Sequence, residues 1–423
     1  MISAPTLCVS SCPPLPEGHR TDLVRGRSAA ALITVYRIVS RAYFHLPVVA
    51  VFLLARGYPI LAVALLLALY AVVAALADGP LSPLTRRLSS SGALVVGEGV
   101  KALGLVVIVL DADPVAVVVS QLLAGCGFAL TAGRDAALAS SLRAGADARR
   151  QETAVQSGMF LASFGAGVIG AASLALWDRL PFLLSALVSC GALAVVLLAR
   201  LPLGARVSAG GRKHTARPAV LPAAVRFWSL YYSVNRAVLL AAYTFVVPLL
   251  LFQELRLTLP AFGVVLGLYT LAGLAAARLS PLIAGTPLVF RLTALTQVVG
   301  LALTALGVLG ALIAGLALLG IAGGFVRPAT IIALAPAMNG FDNGARVTVM
   351  RGLERNQGIL QAVLLVGAGV LIPLTGGTAP TLVVLIVLAV LAQTLGALSM
   401  RSQGRRRTAS ATAERSTMNR RTT

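Results

Sequence analysis

Runs of roughly 18 to 23 apolar residues recur from Ser28 to Met400, and each matches the ~20 residues a helix needs to cross a hydrocarbon core. Such runs are too many and too long to share one core in water. The chain of 423 residues is 58% hydrophobic and only 12% charged, whereas about a quarter of the residues of a soluble domain are charged. Spanning β-barrels are disfavoured, because their strands are ~10-residue segments of alternating polarity. The reading is an all-α integral membrane protein.

Twelve spans are expected. The first runs from Ser28 to Ala55 and the second from Tyr58 to Ala77, where Asp78, Gly79 and Pro80 make a stop. The third covers Gly92 to Leu110, the fourth Pro114 to Leu142, the fifth Ser157 to Trp177 and the sixth Leu180 to Ala199. Residues 200–223 combine five cations with Gly and Pro, a linker composition that divides the chain into halves at 28–199 and 224–400. The seventh span runs from Ala224 to Phe252 and the eighth from Leu259 to Ala277. Residues 292–338 hold one charge, Arg327, and as a single helix would be ~70 Å long against a ~30 Å core. That block must be a hairpin, with its turn expected near Gly310. The eleventh span covers Gly358 to Ile372 and the twelfth Pro380 to Met400.

The net charge of +21 would suggest nucleic-acid binding in a soluble protein, but here the cations follow topology. With the N-terminus inside, cytoplasmic segments hold 25 Lys and Arg and the outer loops only Arg56, Arg179 and Arg256, the asymmetry expected of a multi-pass protein with both termini in the cytoplasm. A nucleic-acid partner is not expected; the bilayer of the cell membrane is. Residues 1–27 read as a polar tail without the apolar core of a secretory signal, and 401–423 as a disordered basic tail near anionic lipid. Cys8, Cys12, Cys126 and Cys190 form neither a disulfide framework nor a paired metal spacing; no metal or cofactor is expected.

The halves repeat. Tyr36, Val39, Arg41 and Ala42 recur as Tyr231, Val234, Arg236 and Ala237, both reading YxxVxRA. Leu81 to Leu84 recurs as Leu279 to Leu282, and Arg134 as Arg327, all at nearly one offset. Duplication of six helices places a site at the interface of the halves near the midplane.

Six plus six helices, a basic central loop and both termini inside resemble the major facilitator superfamily, over residues 28 to 400. The loop after the second span resembles the superfamily signature as Gly79, Leu81, Ser82, Pro83, Arg86 and Arg87, with Pro83 where the acidic residue would stand. The fourth-helix signature of proton-linked exporters survives as Gln121 ahead of Gly125 and Gly127, without its arginine. The fifth resembles the antiporter signature in Gly158, Gly165, Gly167 and Gly170, without its proline; the same spacing serves close helix packing. Gly320, Gly323, Gly324, Gly367 and Gly369 read alike. The resemblance implies that the first, fourth, seventh and tenth helices line a central cavity.

Ionisable groups inside spans are costly and mark function by default. Arg37, Arg41 and His45, four residues apart, would share one face of a continuous first helix, beside Tyr36. Arg41, Arg236, Arg134 and Arg327 lie at similar depth, and guanidinium groups there could hold a carboxylate or phosphate bidentately. The alternative is that they snorkel or pair with backbone carbonyls and Asp135. Asp135 is a candidate proton carrier or the structural partner of Arg134 or Arg327. Glu98 and Lys101, three apart, are expected to neutralise each other.

These features point to a secondary active transporter working by alternating access, expected as a monomeric proton-linked exporter of a small organic or amphiphilic compound, a multidrug-type antiporter. The other reading is an exchanger of organic anions or phosphorylated metabolites held by the intramembrane arginines. An enzyme would need convergent catalytic groups, and the chain has three histidines, His19, His45 and His214. A non-transporting sensor on this fold is the remaining class. No phosphate-binding GxxxxGK[ST] loop occurs. The topology is tested by single cysteines at Ser208 and Thr408 in a cysteine-free background. Both should resist an impermeant thiol reagent in whole cells, and one at Thr258 should react; the reverse pattern would invert the orientation.

Overall fold

The computed structural model describes residues 17–77, 79–135, 138–139, 146–199, 223–283, 287–334 and 343–394. The chain order is α1 (Glu17–Val39), α2 (Val49–Ala55), α3 (Ile60–Leu76), α4 (Ser82–Arg87), α5 (Ser90–Leu110), α6 (Pro114–Thr131), α7 (Ala146–Leu176) and α8 (Leu180–Leu198). After the linker come α9 (Ala223–Ala241, continued by π-helical turns and one α-turn to Glu254), α10 (Leu259–Ile283), α11 (Pro287–Ala305), α12 (Leu309–Leu334) and α13 (Asn343–Thr375). The last described helix is α14 (Ala379–Thr394). The central linker and the basic C-terminal tail lie outside the described residues.

Among the described residues nine helices are long and apolar enough to span a bilayer, and three shorter apolar stretches, Ser28–Val39, Ile60–Leu76 and Ala379–Thr394, complete twelve. Apolar side chains such as Leu103, Leu161, Leu187, Leu295 and Val363 stay exposed in the middle of these helices. A contiguous apolar surface of this kind suits lipid.

Several spans depart from the sequence reading. The first is not continuous: α1 ends at Val39 and helix resumes only at Val49. Pro47 lacks an N–H and disfavours helical geometry in the residue before it. The fourth stops at Thr131, where Gly133 takes φ +74°, a conformation that costs glycine little. The hairpin turns at Leu306 to Val308 on Gly307 (φ +66°), three residues before Gly310. The fifth and eleventh spans begin earlier than hydropathy suggests, at Ala146 and Asn343, because their first turns are polar. α1 likewise begins at Glu17, within the segment read as a polar tail. Pro248 interrupts the donor series of α9, which passes through π-helical turns at Ala242–Val246 and Leu250–Glu254, the rare geometry that clusters at functional sites.

The halves meet along two helix pairs, α3 with α13 and α7 with α10, and α2 touches α9 at Val247–Leu249. Small residues permit the approach. A Cβ on Gly358 would stand 3.1 Å from the Ala71 carbonyl oxygen, and one on Gly273 2.5 Å from the Phe160 ring. Gly158, Gly170, Gly320, Gly323, Gly324 and Gly369 are also close-packed, whereas Gly165 and Gly367 face open space.

Within the first half, α5 and α6 cross at Gly97 and Gly127, where a Cβ on Gly127 would lie 2.6 Å from the Gly97 carbonyl oxygen and from Lys101 Cγ. Gly127→Ala should therefore destabilise the protein by ~1–3 kcal/mol. Gly191→Ala, at a position with nothing within 4 Å, should be neutral or stabilising by up to ~1 kcal/mol through helix propensity. Melting of both variants in detergent checks the pair; equal shifts would contradict the crossing.

Candidate functional site

The break in the first span puts residues 40–48 in irregular backbone at membrane depth, which is tolerated only where protein or a polar cavity supplies partners. Local turns satisfy part of it: Ser40 N–H donates to the Tyr36 carbonyl at 2.8 Å and Ala42 N–H to that of Val39 at 2.9 Å. Neighbouring helices add two more bonds, with His45 N–H donating to Ser185 Oγ at 3.1 Å and Ser163 Oγ to the Arg41 carbonyl at 3.5 Å. Arg37, Arg41 and His45 consequently do not share a helix face. The His45 ring packs 5.5 Å from Phe182 and 5.9 Å from Tyr43, and its Nδ1 is buried without a hydrogen bond.

Beside the break lies a buried network. The Tyr36 hydroxyl donates to Glu98 Oε1 at 2.8 Å, and Lys101 Nζ donates to the same oxygen at 2.6 Å and to the Tyr43 hydroxyl at 3.1 Å. Glu98 and Lys101 thus neutralise each other, as their spacing suggests, and Tyr36 shares the same carboxylate oxygen. One helical residue away, Arg37 Nε lies 3.4 Å from Asp135 Oδ2, with side chains 2% and 10% exposed. Asp135 thus has Arg37 as an ion-pair partner. Arg134 directs Nη1 to the carbonyl of Leu130, one of the backbone pairings considered for it.

The second half contributes Arg327, 3.9 Å from Glu354 Oε1, and Tyr232, whose hydroxyl donates to that oxygen at 3.0 Å. Arg236, one turn beyond Tyr232, lies within electrostatic reach of Tyr232 and Tyr269. Arg41 connects the halves. Its guanidinium lies 5.5 Å from the Phe128 ring centroid and within electrostatic reach of Asp135 and Tyr43 on its own side and of Arg327 and Glu354 on the other. The structure thus brings Arg41, Arg236, Arg327 and Asp135 toward one cluster, while Tyr36 meets Glu98, His45 meets Phe182 and Tyr43, and Arg134 meets the Leu130 carbonyl.

Residues read as an inner-gate loop form the short helix α4 instead. Pro83 and Arg87 are exposed on it, Gly79 is exposed in the turn before it, and the side chains of Ser82 and Arg86 lie outside the described residues. Sequence reasoning passes over Glu354 and Tyr232. Glu354 reads as a loop residue because the apolar run begins only at Gly358; continuing the 3.6-residue period back from there puts it on the helix.

No protein-family model and no curated protein matches the sequence, but solved structures match most of it. The nucleoside transporter NupG aligns with TM-score 0.64 at 12% identity, covering 88% of this chain and 98% of that one. A bacterial homologue of the iron transporter ferroportin, outward-facing, gives 0.63 at 16% identity over 87% and 98%. The human organic anion transporter MFSD10 (TETRAN) gives 0.62 at 14% identity over 88% and 99%. The chain has the major facilitator superfamily fold. It is a multi-pass membrane protein whose structural neighbours are transporters.

On this major facilitator frame the cluster draws on the first, fourth, seventh, tenth and eleventh spans. Its buried pair is testable by a thermodynamic cycle. Arg37→Ala or Asp135→Ala alone strands a buried charge and should cost ~3–5 kcal/mol. The double variant should recover part of that loss, with a coupling of ~0.5–3 kcal/mol. Additive melting shifts would mean that the two groups do not pair.

Proposed function

We propose that the protein is a secondary active transporter that carries a small organic anion by alternating access, with proton uptake at Asp135 as the coupling step. One observation supports the anion most: the cluster joining the halves holds Arg37, Arg41, Arg236 and Arg327 against Asp135 and Glu354, a cationic surplus in a medium where charge is costly. An incoming carboxylate or phosphate supplies the missing counter-charge and can take a guanidinium fork bidentately. As it displaces Asp135 from its arginines, the freed carboxylate loses its ion pair inside the bilayer, which favours protonation. Binding and proton uptake are then linked. Export from the cell across the plasma membrane, with both termini cytoplasmic, is the direction the proton-linked exporter resemblance implies. Small amphiphilic substrates of that kind suit this cluster when they carry an acidic group.

Flux in proteoliposomes under an imposed pH gradient, screening small carboxylates and phosphates against amines, tests the reading. Arg41→Ala and Arg236→Ala should each weaken affinity for the transported anion about 10- to 150-fold through lost charge-assisted bonds. Their effects should couple when combined, and Lys should restore only part. Asp135→Asn should abolish gradient-driven flux and retain exchange. Preference for amines, or full rescue by Lys at both positions with losses confined to melting temperature, would refute the anion site.

A further inference from the structure

A cavity of about 450 Å³ opens between α9 and α13, lined by Arg226, Ser229, Leu230, Ser233, Asn356, Ile359 and Leu360. The two helices run in the same direction from the linker side, and Asn356 Nδ2 donates to Ser229 Oγ at 3.4 Å. The lining is graded along them. Arg226 marks the linker-side end, Ser229, Ser233 and Asn356 the middle, and Ile359 and Leu360 the deep end. Leu230, one turn beyond Arg226, is 48% exposed on the lip, and Ile359, one turn beyond Arg355, is 37% exposed.

Depth follows from length. α13 has 33 residues, ~50 Å of helix against a ~30 Å hydrocarbon core. Counted back from Thr375, ~20 residues fill that core, which puts its linker-side boundary near Arg355 and Asn356. Arg226 then stands in the headgroup layer, the Ser and Asn groups at the boundary, and Ile359 and Leu360 among acyl chains. Arg226 and Arg355 are exposed, and neither forms an ion pair among the described residues. The nearby acid, Glu354, is held by Arg327 and Tyr232.

We infer that this cavity binds an anionic phospholipid, its phosphate on Arg226, its glycerol and ester oxygens on Ser229 and Asn356, and an acyl chain along Leu230, Ile359 and Leu360. Charge complementarity selects the anionic lipid over a zwitterionic one. The polar-to-apolar grading distinguishes a lipid from free phosphate, which would gain nothing from the deep end.

The test is native mass spectrometry of the purified full chain titrated with phosphatidylglycerol, phosphatidylcholine or inorganic phosphate. Phosphatidylglycerol should bind about five- to tenfold more tightly than phosphatidylcholine, on the order of one cation's contribution at a membrane surface. Arg226→Ala should erase that preference and Arg226→Lys restore part of it. Arg278→Ala, an exposed arginine on the same side, should leave it intact. Leu360→Trp, which fills the deep end without touching charge, should weaken both lipids alike and carries the test if the Arg226 variants fail to fold. Equal binding of the two lipids, an equal loss in Arg278→Ala, or displacement of phosphatidylglycerol by inorganic phosphate at the same concentration would overturn the assignment.

Discussion

A backbone that leaves helical geometry inside a bilayer must find its hydrogen-bond partners in protein, because the hydrocarbon offers none. The break at residues 40–48 depends on this condition. It persists because Ser185 of α8 and Ser163 of α7 reach its free backbone groups, and because Gly170 lets α7 approach the carbonyl of Phe44. Those contacts in turn fix where Arg41, Tyr43 and His45 point. In the second half the matching helix keeps its bonds by switching to π-helical turns around Pro248, a smaller distortion. The first span is thus a hinge held by side chains, and the seventh a continuous rod with altered pitch.

The same absence of water governs the charges. Glu98, fully buried, is tolerable because Lys101 and Tyr36 both reach one of its oxygens. Lys101 is in turn divided between Glu98 and Tyr43, so the ion pair also anchors the hinge. Removing Lys101 would strand a carboxylate and release Tyr43 together, which is why buried pairs are costly to break from one side. Arg37 and Asp135 join α1 to the linker-side end of the fourth span by the same logic. Polar groups in this interior therefore tie helices to one another where apolar packing alone would not fix their register.

Span number, the duplication and the division into halves are legible in the sequence, since each rests on hydropathy over many residues or on spaced landmarks such as Arg41 and Arg236. Local geometry is not. Pro47 stands in an otherwise apolar run, so hydropathy passes over the place where the helix stops. Glu354 is hidden for the opposite reason, because a charged first turn of a long helix has the composition of a loop. The pairing of Asp135 with Arg37 cannot be read either. Sequence proximity points to Arg134 and the repeat to Arg327, and the fold adds Arg37 from a helix about a hundred positions earlier.

The repeat relates the halves in position but not in chemistry. Tyr36 donates to the carboxylate Glu98, whereas its counterpart Tyr231 stands beside Thr293 and Gln393. Amides fill that region of the second half: Gln393 Nε2 donates to Asn235 Oδ1 at 2.6 Å, and Gln297 Nε2 to the Asn235 carbonyl at 3.4 Å. Around Tyr231 the second half is held by neutral hydrogen bonds where the matching region of the first uses ions. Arg37 corresponds by position to Tyr232, and each meets a carboxylate, Asp135 in one half and Glu354 in the other. Contacts within a half would move with it as a body in any rocking of the halves, whereas contacts across the junction would have to be exchanged. Arg41 lies within electrostatic reach of carboxylates of both halves, so it is the arginine of the cluster whose surroundings such a motion would change from both sides.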